Sequence, residues 1–493
     1  MESQDWIKLI RYMEENLRAG HFGVVRTQFS RVSLSKAPRK HLSQIANIAW
    51  RIGLYRLALR VLNPYVRSEP GTFIVASAAE RLEYAISLQK IGAADEAYEI
   101  LKTMDAKTHP LALLYMSFCH MSSWDYASTI PLLLEFTASP LTTPYQRIVG
   151  KVNLLAASII TDQIETAEQL LREIGKTTKD QNLRLLYGNS LELAAQMAIS
   201  QKKWREAEQY LEQAKEFLGS DSSVNSLFID KWQAVLKAHQ NPKALSNLHS
   251  VKTKALRDRH WETARDCDFH IVVTSKDLRV FEHLYYGTPY PSYRERVLRL
   301  ANMQSPPSHF VYTPGKQSST PNRVFDLETA RERDGTWELR AGQVLHRLFV
   351  AIYRDWYRPL RVGQAFAVLF PDEYFNPATS VDRVHQAVKR LRESLLDREV
   401  PIEVLESHGA YQLSVGADYG VRVPADPLPL EGKELEMRQL KSIVETKEFT
   451  SREARVKLGV SHATMNRLIN WAQDHNKIIR LGSGTKTKYR IAG

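Results

Sequence analysis

The chain has 493 residues, enough for three or more domains, and 43% of them are hydrophobic. Its longest apolar-leaning run, Val152 to Ile160, is too short to span a bilayer, and the acidic N-terminal segment does not predict a signal peptide. Two cysteines, Cys119 and Cys267, form neither a disulfide framework nor a zinc set, so we expect a cytoplasmic protein. The 67 Lys and Arg exceed the 55 Asp and Glu by a net charge of +12, which favours polyanionic partners.

Residues 1–301 are predicted to form a helical domain, because amphipathic segments follow one another with short polar breaks. Five segments share a turn, a bulky or acidic position and an alanine that opens the next helix: Ala58, Ala97, Ala127, Ala167 and Ala207. They are 39, 30, 40 and 40 residues apart. The segments resemble degenerate tetratricopeptide repeats, which implies an α-solenoid whose groove takes a protein or peptide partner, or self-associates into a homo-oligomer. An irregular helical bundle without a groove is the alternative.

A Pro- and Ser-rich stretch, residues 302–323, is predicted to be a linker. Beyond it, the segment from Ser380 to Leu395 predicts a helix with two different faces. Val384, Val388 and Leu391 lie on an apolar stripe that faces a core. The opposite face carries side chains that bind phosphates or base edges: Arg383, Gln386, Lys389, Arg390 and Arg392.

Two hairpins flank this basic helix. The first is predicted around Asp334-Gly335, and the second, Ile402 to Leu413, turns at His408-Gly409. Two further apolar helical segments, separated by Pro359, lie between the first hairpin and the basic helix. Order and spacing resemble the winged-helix DNA-binding domain of OmpR/PhoB-type response regulators, so residues 324–423 are predicted to form a winged helix.

That resemblance assigns roles to several basic residues. Lys389 and Arg392 would hold phosphates, while Arg390 would point at bases. Two positions depart from the pattern, since Asp382 and Ala387 stand where another basic residue and a phosphate-binding histidine are expected.

Residues 424–432 are predicted to form a second linker, and residues 433–493 a second module. Thr450 and Glu453 form a predicted capping box at the start of one helix, and Ser461 is the predicted N-cap of the next helix. The short connection Gly459-Val460-Ser461 between these two helices is typical of a helix-turn-helix. A glycine-centred hairpin follows. The module resembles the winged helix-turn-helix of bacterial transcription regulators. Its predicted DNA contacts are Ser461, His462, Thr464, Arg467, Arg480, Lys486, Lys488 and Arg490.

The charge is unevenly distributed between the two modules. Residues 433–493 contain thirteen Lys and Arg against six Asp and Glu, whereas residues 323–422 contain fourteen against fifteen. The C-terminal module is therefore the stronger candidate for contact with nucleic acid.

These observations predict a mainly α protein, with an N-terminal α-solenoid followed by two α+β winged-helix domains. The predicted function is a sequence-specific transcription regulator that binds double-stranded DNA. The alternative is a helical scaffold whose winged modules bind proteins. The sequence contains no catalytic motif with specific spacing, so we expect no enzyme, cofactor or metal site, although an active site assembled from distant helices is a third hypothesis.

Overall fold

The computed structural model describes residues 3–67, 75–180, 183–218, 224–314, 321–333, 337–444, 448–484 and 487–492. The protein is mainly helical, as predicted. It divides into two compact units. Unit 1 comprises residues 1–284, 290–303 and 374–380, and unit 2 comprises residues 285–289, 304–373 and 381–493. Within the described residues, no helix combines the length and apolar character that a membrane span requires.

Unit 1 is built from consecutive helices joined by short turns. The helices are α1 (Ser3–Arg18), α2 (Phe22–Arg31), α3 (Leu42–Arg51), α4 (Tyr55–Val66), α5 (Ala78–Ile91), α6 (Ala94–Lys102), α7 (Leu111–Ser122), α8 (Tyr126–Ala138), α9 (Pro144–Ile160), α10 (Ile164–Asp180), α11 (Arg184–Ser200), α12 (Trp204–Leu218), α13 (Val224–Gln240), α14 (Leu245–Arg257), α15 (Trp261–Ser275), α16 (Leu278–Tyr286) and α17 (Pro291–Ala301).

One turn recurs seven times between these helices in the described part of the chain. A residue with positive φ ends a helix, and the next residue donates its N–H to the carbonyl five positions earlier, at 2.7–3.1 Å. The residue five positions after the positive φ is fully buried in every copy. The pairs are Gly20 and Val25, Gly53 and Ala58, Gly92 and Ala97, Trp124 and Thr129, Asp162 and Ala167, Lys202 and Ala207, and Arg259 and Ala264. A helical repeat with this turn is therefore present.

The recurring turn corrects the predicted repeat at Ala127, which is exposed. The equivalent buried position is Thr129, whose hydroxyl donates to the Tyr126 carbonyl at 2.7 Å. The predicted pattern required alanine, whereas the packing also accepts a small polar side chain whose hydroxyl is hydrogen-bonded. Two copies are absent from the prediction: the first, at Gly20 and Val25, and the last, at Arg259 and Ala264, whose positive-φ residue lies 57 residues after that of the preceding copy.

Among the described residues, the odd-numbered helices form a row of two stretches, from α1 to α7 and from α9 to α17. Helix α3 contacts α5 and α5 contacts α7, while α9, α11, α13, α15 and α17 contact one another in turn. In the described part of the chain, the even-numbered helices from α4 to α12 make no comparable contacts with one another. Unit 1 is thus an array of two helical layers, in which only the odd-numbered layer is continuous over long stretches.

Close packing between the layers depends on two helical glycines. A Cβ atom at Gly150 would lie 2.6 Å from the ring of Phe136, and one at Gly188 would lie 2.7 Å from Leu218 Cγ. Both distances are shorter than van der Waals contact. The neighbouring helices therefore approach to a distance that only glycine allows.

Unit 2 begins with an α+β module, which we call the sheet module (residues 304–373 and 381–424). Its elements are β1 (His309–Tyr312), β2 (Arg323–Asp326), β3 (Arg331–Arg333), α18 (Val344–Tyr353), β4 (Leu360–Arg361), α19 (Val362–Leu369), α20 (Ser380–Asp397), β5 (Ile402–Ser407), β6 (Ala410–Val415) and β7 (Tyr419–Pro424). One sheet has the order β1-β7-β2-β3, with β7 and β2 parallel, and a second has the order β4-β6-β5.

The structure differs from the predicted linker at residues 302–323. Strand β1 lies inside that stretch and pairs with β7, from His309 opposite Pro424 to Tyr312 opposite Val421. The partner strand is more than a hundred residues away, so no local pattern announces the pairing. The hairpin at His408-Gly409 is confirmed, with φ angles of 54° and 72°. The predicted turn at Asp334-Gly335 lies outside the described residues, although Arg331 and Glu338 on either side form an antiparallel bridge.

The second part of unit 2 is the C-terminal module (residues 432–492). It contains α21 (Gly432–Val444), α22 (Ser451–Leu458), α23 (His462–Asp474), β8 (Ile478–Leu481) and β9 (Lys488–Ile491). Strands β8 and β9 pair antiparallel, and Phe449 bridges to Tyr489 beside them. Its core combines residues from all three helices with Ile478 of β8.

Candidate nucleic-acid interface

The turn between α22 and α23 is fixed by local chemistry. The side chain of Thr450 accepts from the Glu453 N–H while Glu453 accepts from the Thr450 N–H, so the predicted capping box is confirmed. Gly459 ends α22 with φ of 67°, a conformation that glycine adopts without strain. Ser461 then caps α23 by accepting from the Thr464 N–H at 3.1 Å, as predicted. The capping bonds and Gly459 therefore fix where α22 begins and ends and where α23 begins.

Helix α23 has one buried and one exposed face. Met465, Leu468, Ile469 and Ala472 are buried in the module core. The hydroxyls of Ser461 and Thr464 lie 2.9 Å apart within the cap, which gives both residues a structural role in addition to the predicted DNA contact.

Two residues that are predicted to contact DNA lie on the exposed face of α23. Arg467 is exposed, and within the described residues its one hydrogen bond is donated by Nε to the Ala463 carbonyl at 3.3 Å. His462 is exposed at the helix N-terminus, with its Nδ1 3.2 Å from Asn466 Nδ2. The terminal guanidinium nitrogens of Arg467 are thus available to an external acceptor.

The predicted wing residues separate into two faces of the β8–β9 hairpin. Arg480 stands opposite Tyr489, whereas Arg490 stands opposite Ile479, and opposed residues share a face while neighbours alternate. Lys488 shares the face of Arg490, and its Nζ lies 3.2 Å from the Glu448 carboxylate. Lys486 lies outside the described residues. Arg480 and Arg490 therefore lie on opposite faces of the hairpin, and a ligand on one face contacts one of them more readily than the other.

The basic residues of α20 in the sheet module are less available. Arg383 donates two hydrogen bonds to Glu373, and its guanidinium carbon lies 3.7 Å from the centre of the Phe370 ring. These hydrogen bonds raise the pKa of Arg383 and lower the pKa of Glu373. Arg383 thus anchors the start of α20 to the segment that follows α19.

Two further α20 cations have internal partners. Arg392 donates from Nε and Nη2 to the Val404 carbonyl of β5, at 3.1 and 2.7 Å. Lys389 Nζ lies 3.8 Å from Glu393 Oε1, one helical turn away. Gln386 and Arg390 are exposed one turn apart. The resemblance implies that Arg392 binds a phosphate, but its guanidinium already donates to the Val404 carbonyl and holds α20 against β5.

No family model and no curated protein matches the chain. A solved structure does. It is described as "Crystal Structure of Rap Protein Complexed with Competence and Sporulation Factor", with 12% identity and a TM-score of 0.41. The match covers 60% of this chain and 87% of that chain. The superposition is partial, and the helical array described above is defined by its own contacts.

A buried polar cluster lies in unit 1, on the odd-numbered row. Trp232 Nε1 of α13 donates to Glu192 Oε1 of α11 at 2.7 Å, and Lys231 Nζ donates to Asp266 Oδ2 of α15 at 2.5 Å. His270 Nε2 lies 3.7 Å from Asp266 Oδ1. Burial raises the pKa of Glu192 and lowers the pKa of His270 to about 3, so His270 is neutral. Sequence reasoning missed this cluster because its members come from three separate helices.

The same row carries a smaller polar cluster near the N-terminus. Glu83 of α5 accepts from Asn47 Nδ2 at 3.1 Å and from Trp50 Nε1 at 2.6 Å, both on α3. Burial raises the pKa of Glu83. Polar bonds between successive odd-numbered helices therefore occur at both ends of the array.

Proposed function

We propose that this protein binds duplex DNA through α23 and the β8–β9 hairpin of its C-terminal module, as a transcription regulator. The module has the helix order and hairpin of a winged helix-turn-helix, in which the last helix enters the major groove. The observation that carries the proposal is that Arg467 and Arg480 are exposed and have no ion-pair partner within the described residues.

The distribution of charge supports this assignment. An excess of seven positive charges lies in residues 433–493, whereas the sheet module is almost neutral. A basic surface attracts the phosphate backbone at long range, and unpaired arginines then bind phosphates or guanine edges. Arg467 on the helix is the proposed base-reading residue, and Arg480 on the wing is the proposed phosphate contact.

We further propose that unit 1 binds a protein or peptide partner along its odd-numbered row. Hydrogen bonds from Trp50 to Glu83 and from Trp232 to Glu192 join successive helices of this row. A repeat array of this kind offers an extended surface to a ligand.

A second candidate function is that the sheet module binds a protein. It is favoured by the internal partners of Arg383 and Arg392, which remove two cations from the surface proposed for DNA. It is also favoured by Leu396 at the end of α20 and Leu405 on β5, which are 78% and 48% exposed. Exposed apolar side chains on a polar surface contribute to protein interfaces.

Binding of the full chain to mixed-sequence duplexes over a salt series tests the main proposal. The variant Arg467→Ala/Arg480→Ala should bind more weakly and show a shallower dependence of affinity on salt, because fewer counterions are released. The matched control is Arg172→Ala/Arg205→Ala, which removes two exposed arginines from unit 1. Equal losses in both variants would mean that net charge alone attracts DNA, and the proposed interface would be wrong.

A further inference from the structure

The two modules of unit 2 meet at a tightly bonded junction. Helix α21 of the C-terminal module lies against the turn that follows β2 of the sheet module. Arg438 Nε donates to Glu328 Oε1 at 2.8 Å, and Gln439 Nε2 donates to the Thr329 carbonyl at 2.9 Å. Gln439 is almost fully buried. These bonds fix the orientation of α21 on the sheet module.

A pair of glycines brings the two backbones together at the same junction. A Cβ atom at Gly342 would lie 2.5 Å from the Gly432 carbonyl oxygen, and one at Gly432 would lie 2.8 Å from the Gly342 carbonyl oxygen. Gly342 also has φ of +70°. Behind it, buried His346 accepts from the Gly342 N–H at 3.1 Å and lies 2.9 Å from the Leu327 carbonyl. Neither glycine has room for a side chain.

The segment that connects the modules is packed against them. The Ala425 N–H donates to the Ser308 carbonyl at 2.7 Å, and Leu428 is buried. Asp426 lies 3.8 Å from the Arg438 guanidinium. The predicted linker at residues 424–432 therefore does not act as a loose tether.

We infer that the sheet module and the C-terminal module engage DNA as one rigid body, and that the ligand is a duplex with two sequence determinants at one fixed spacing. This inference rests on the proposed function. Within the sheet module, the determinant would be read by Gln386 and Arg390, which are exposed on α20 and are residue types that bond bidentately to adenine and guanine.

A rigid junction has a consequence that a flexible tether lacks. Modules on a flexible linker accept many spacings, because effective concentration changes slowly with span. Modules in fixed orientation accept one spacing, because an insertion of half a helical turn, about five base pairs, moves one determinant to the opposite face of the duplex.

The rigid body can be tested without DNA by measuring the distance between spin labels on the full chain. Leu396→Cys on α20 and Asp474→Cys on α23 place the labels at exposed positions, while Cys119 and Cys267 are buried. The inference predicts one narrow distance distribution. A broad distribution in the otherwise unaltered chain would overturn it, whatever the chain binds.

Junction variants extend this measurement. Gly342→Ala should broaden the distribution, because the added methyl group meets a backbone oxygen. Gly484→Ala is the matched control, since it also has positive φ but has no atom within 4 Å of the added position. Arg438→Ala/Gln439→Ala should broaden the distribution while leaving the glycine contact intact.

The spacing requirement is tested on duplexes selected from a random library by the full chain. Two determinants should emerge, and insertion of about five base pairs between them should lower affinity at least about tenfold. Arg438→Ala/Gln439→Ala should lose less affinity on the same insertion. If the chain binds no duplex, the proposed function fails as well; if it binds but tolerates the insertion, or selects one determinant, only this inference fails.

Discussion

Replacing Gly188 by alanine tests the close packing on which the helical array depends. Gly188 lies within α11, where an added Cβ would lie 2.7 Å from Leu218 Cγ and 2.9 Å from Phe217 Cβ of α12. Leu218 is buried, so its side chain has little space into which it could move. The methyl group must therefore displace one helix from the other.

Two opposing effects set the size of the change. Alanine is favoured over glycine in a helix interior by about 1 kcal/mol. Overpacking a core costs about 1 to 3 kcal/mol. Gly188→Ala should therefore lower the free energy of unfolding by up to about 2 kcal/mol. Gly175 in α10 is the control, because no atom lies within 4 Å of its added Cβ. Gly175→Ala should raise stability by about 0.5 to 1 kcal/mol.

Urea unfolding of the full chain, followed by far-ultraviolet circular dichroism, compares the two variants with the parent. The midpoint should fall for Gly188→Ala and rise for Gly175→Ala. If both midpoints rise together, α11 and α12 have room between them, and the reasoning from close approach is refuted.

Two other predictions concern buried polar groups. Burial lowers the pKa of His346, so below the ordinary histidine pKa of about 6.5 the unfolded chain takes up a proton that the folded chain resists. Stability should fall as the pH drops from about 7 to 5, and His346→Gln should make that dependence shallower in unfolding curves recorded across this range. Lys231→Met leaves the Asp266 carboxylate without its buried partner and should lower stability by about 3 kcal/mol, with part of the loss recovered in Lys231→Met/Asp266→Asn. An unchanged urea midpoint for Lys231→Met would show that solvent replaces the ammonium group.

The elements that the sequence predicted well are those stabilised by neighbours along the chain. The capping box at Thr450, the N-cap at Ser461 and the turn at His408-Gly409 each depend on contacts within a few residues. Such short-range contacts require particular residue types at fixed spacings, so a sequence pattern predicts them directly.

The features that the sequence could not predict depend on distant partners. Strand β1 forms because β7 supplies an edge, and the Gly342–Gly432 approach brings together residues from two modules. The sequence pattern placed one repeat position at Ala127 instead of Thr129. Threonine fills the same packing role as alanine there, because its hydroxyl is hydrogen-bonded locally.

The predicted site residues divide in the same way, into local features that the sequence predicts and contacts with distant partners that it does not. The pattern placed Arg383 on a basic face, and nothing in the pattern indicated its bonds to Glu373, since spacing does not fix the path of the loop before α20. The pattern also grouped Arg480 with Arg490, whereas the strand register separates them onto two faces. DNA contact by each predicted residue stays a prediction.

We propose that the C-terminal module reads DNA with Arg467 and holds the DNA backbone with Arg480. The most direct test is the affinity of the full chain, Arg467→Ala and Arg480→Ala for a selected duplex and its single-base variants. Arg467→Ala should lose about 1 to 3 kcal/mol of discrimination at one position, whereas Arg480→Ala should weaken all duplexes alike and reduce the salt slope by about 1. Identical affinities of all three proteins for every duplex would contradict the claim.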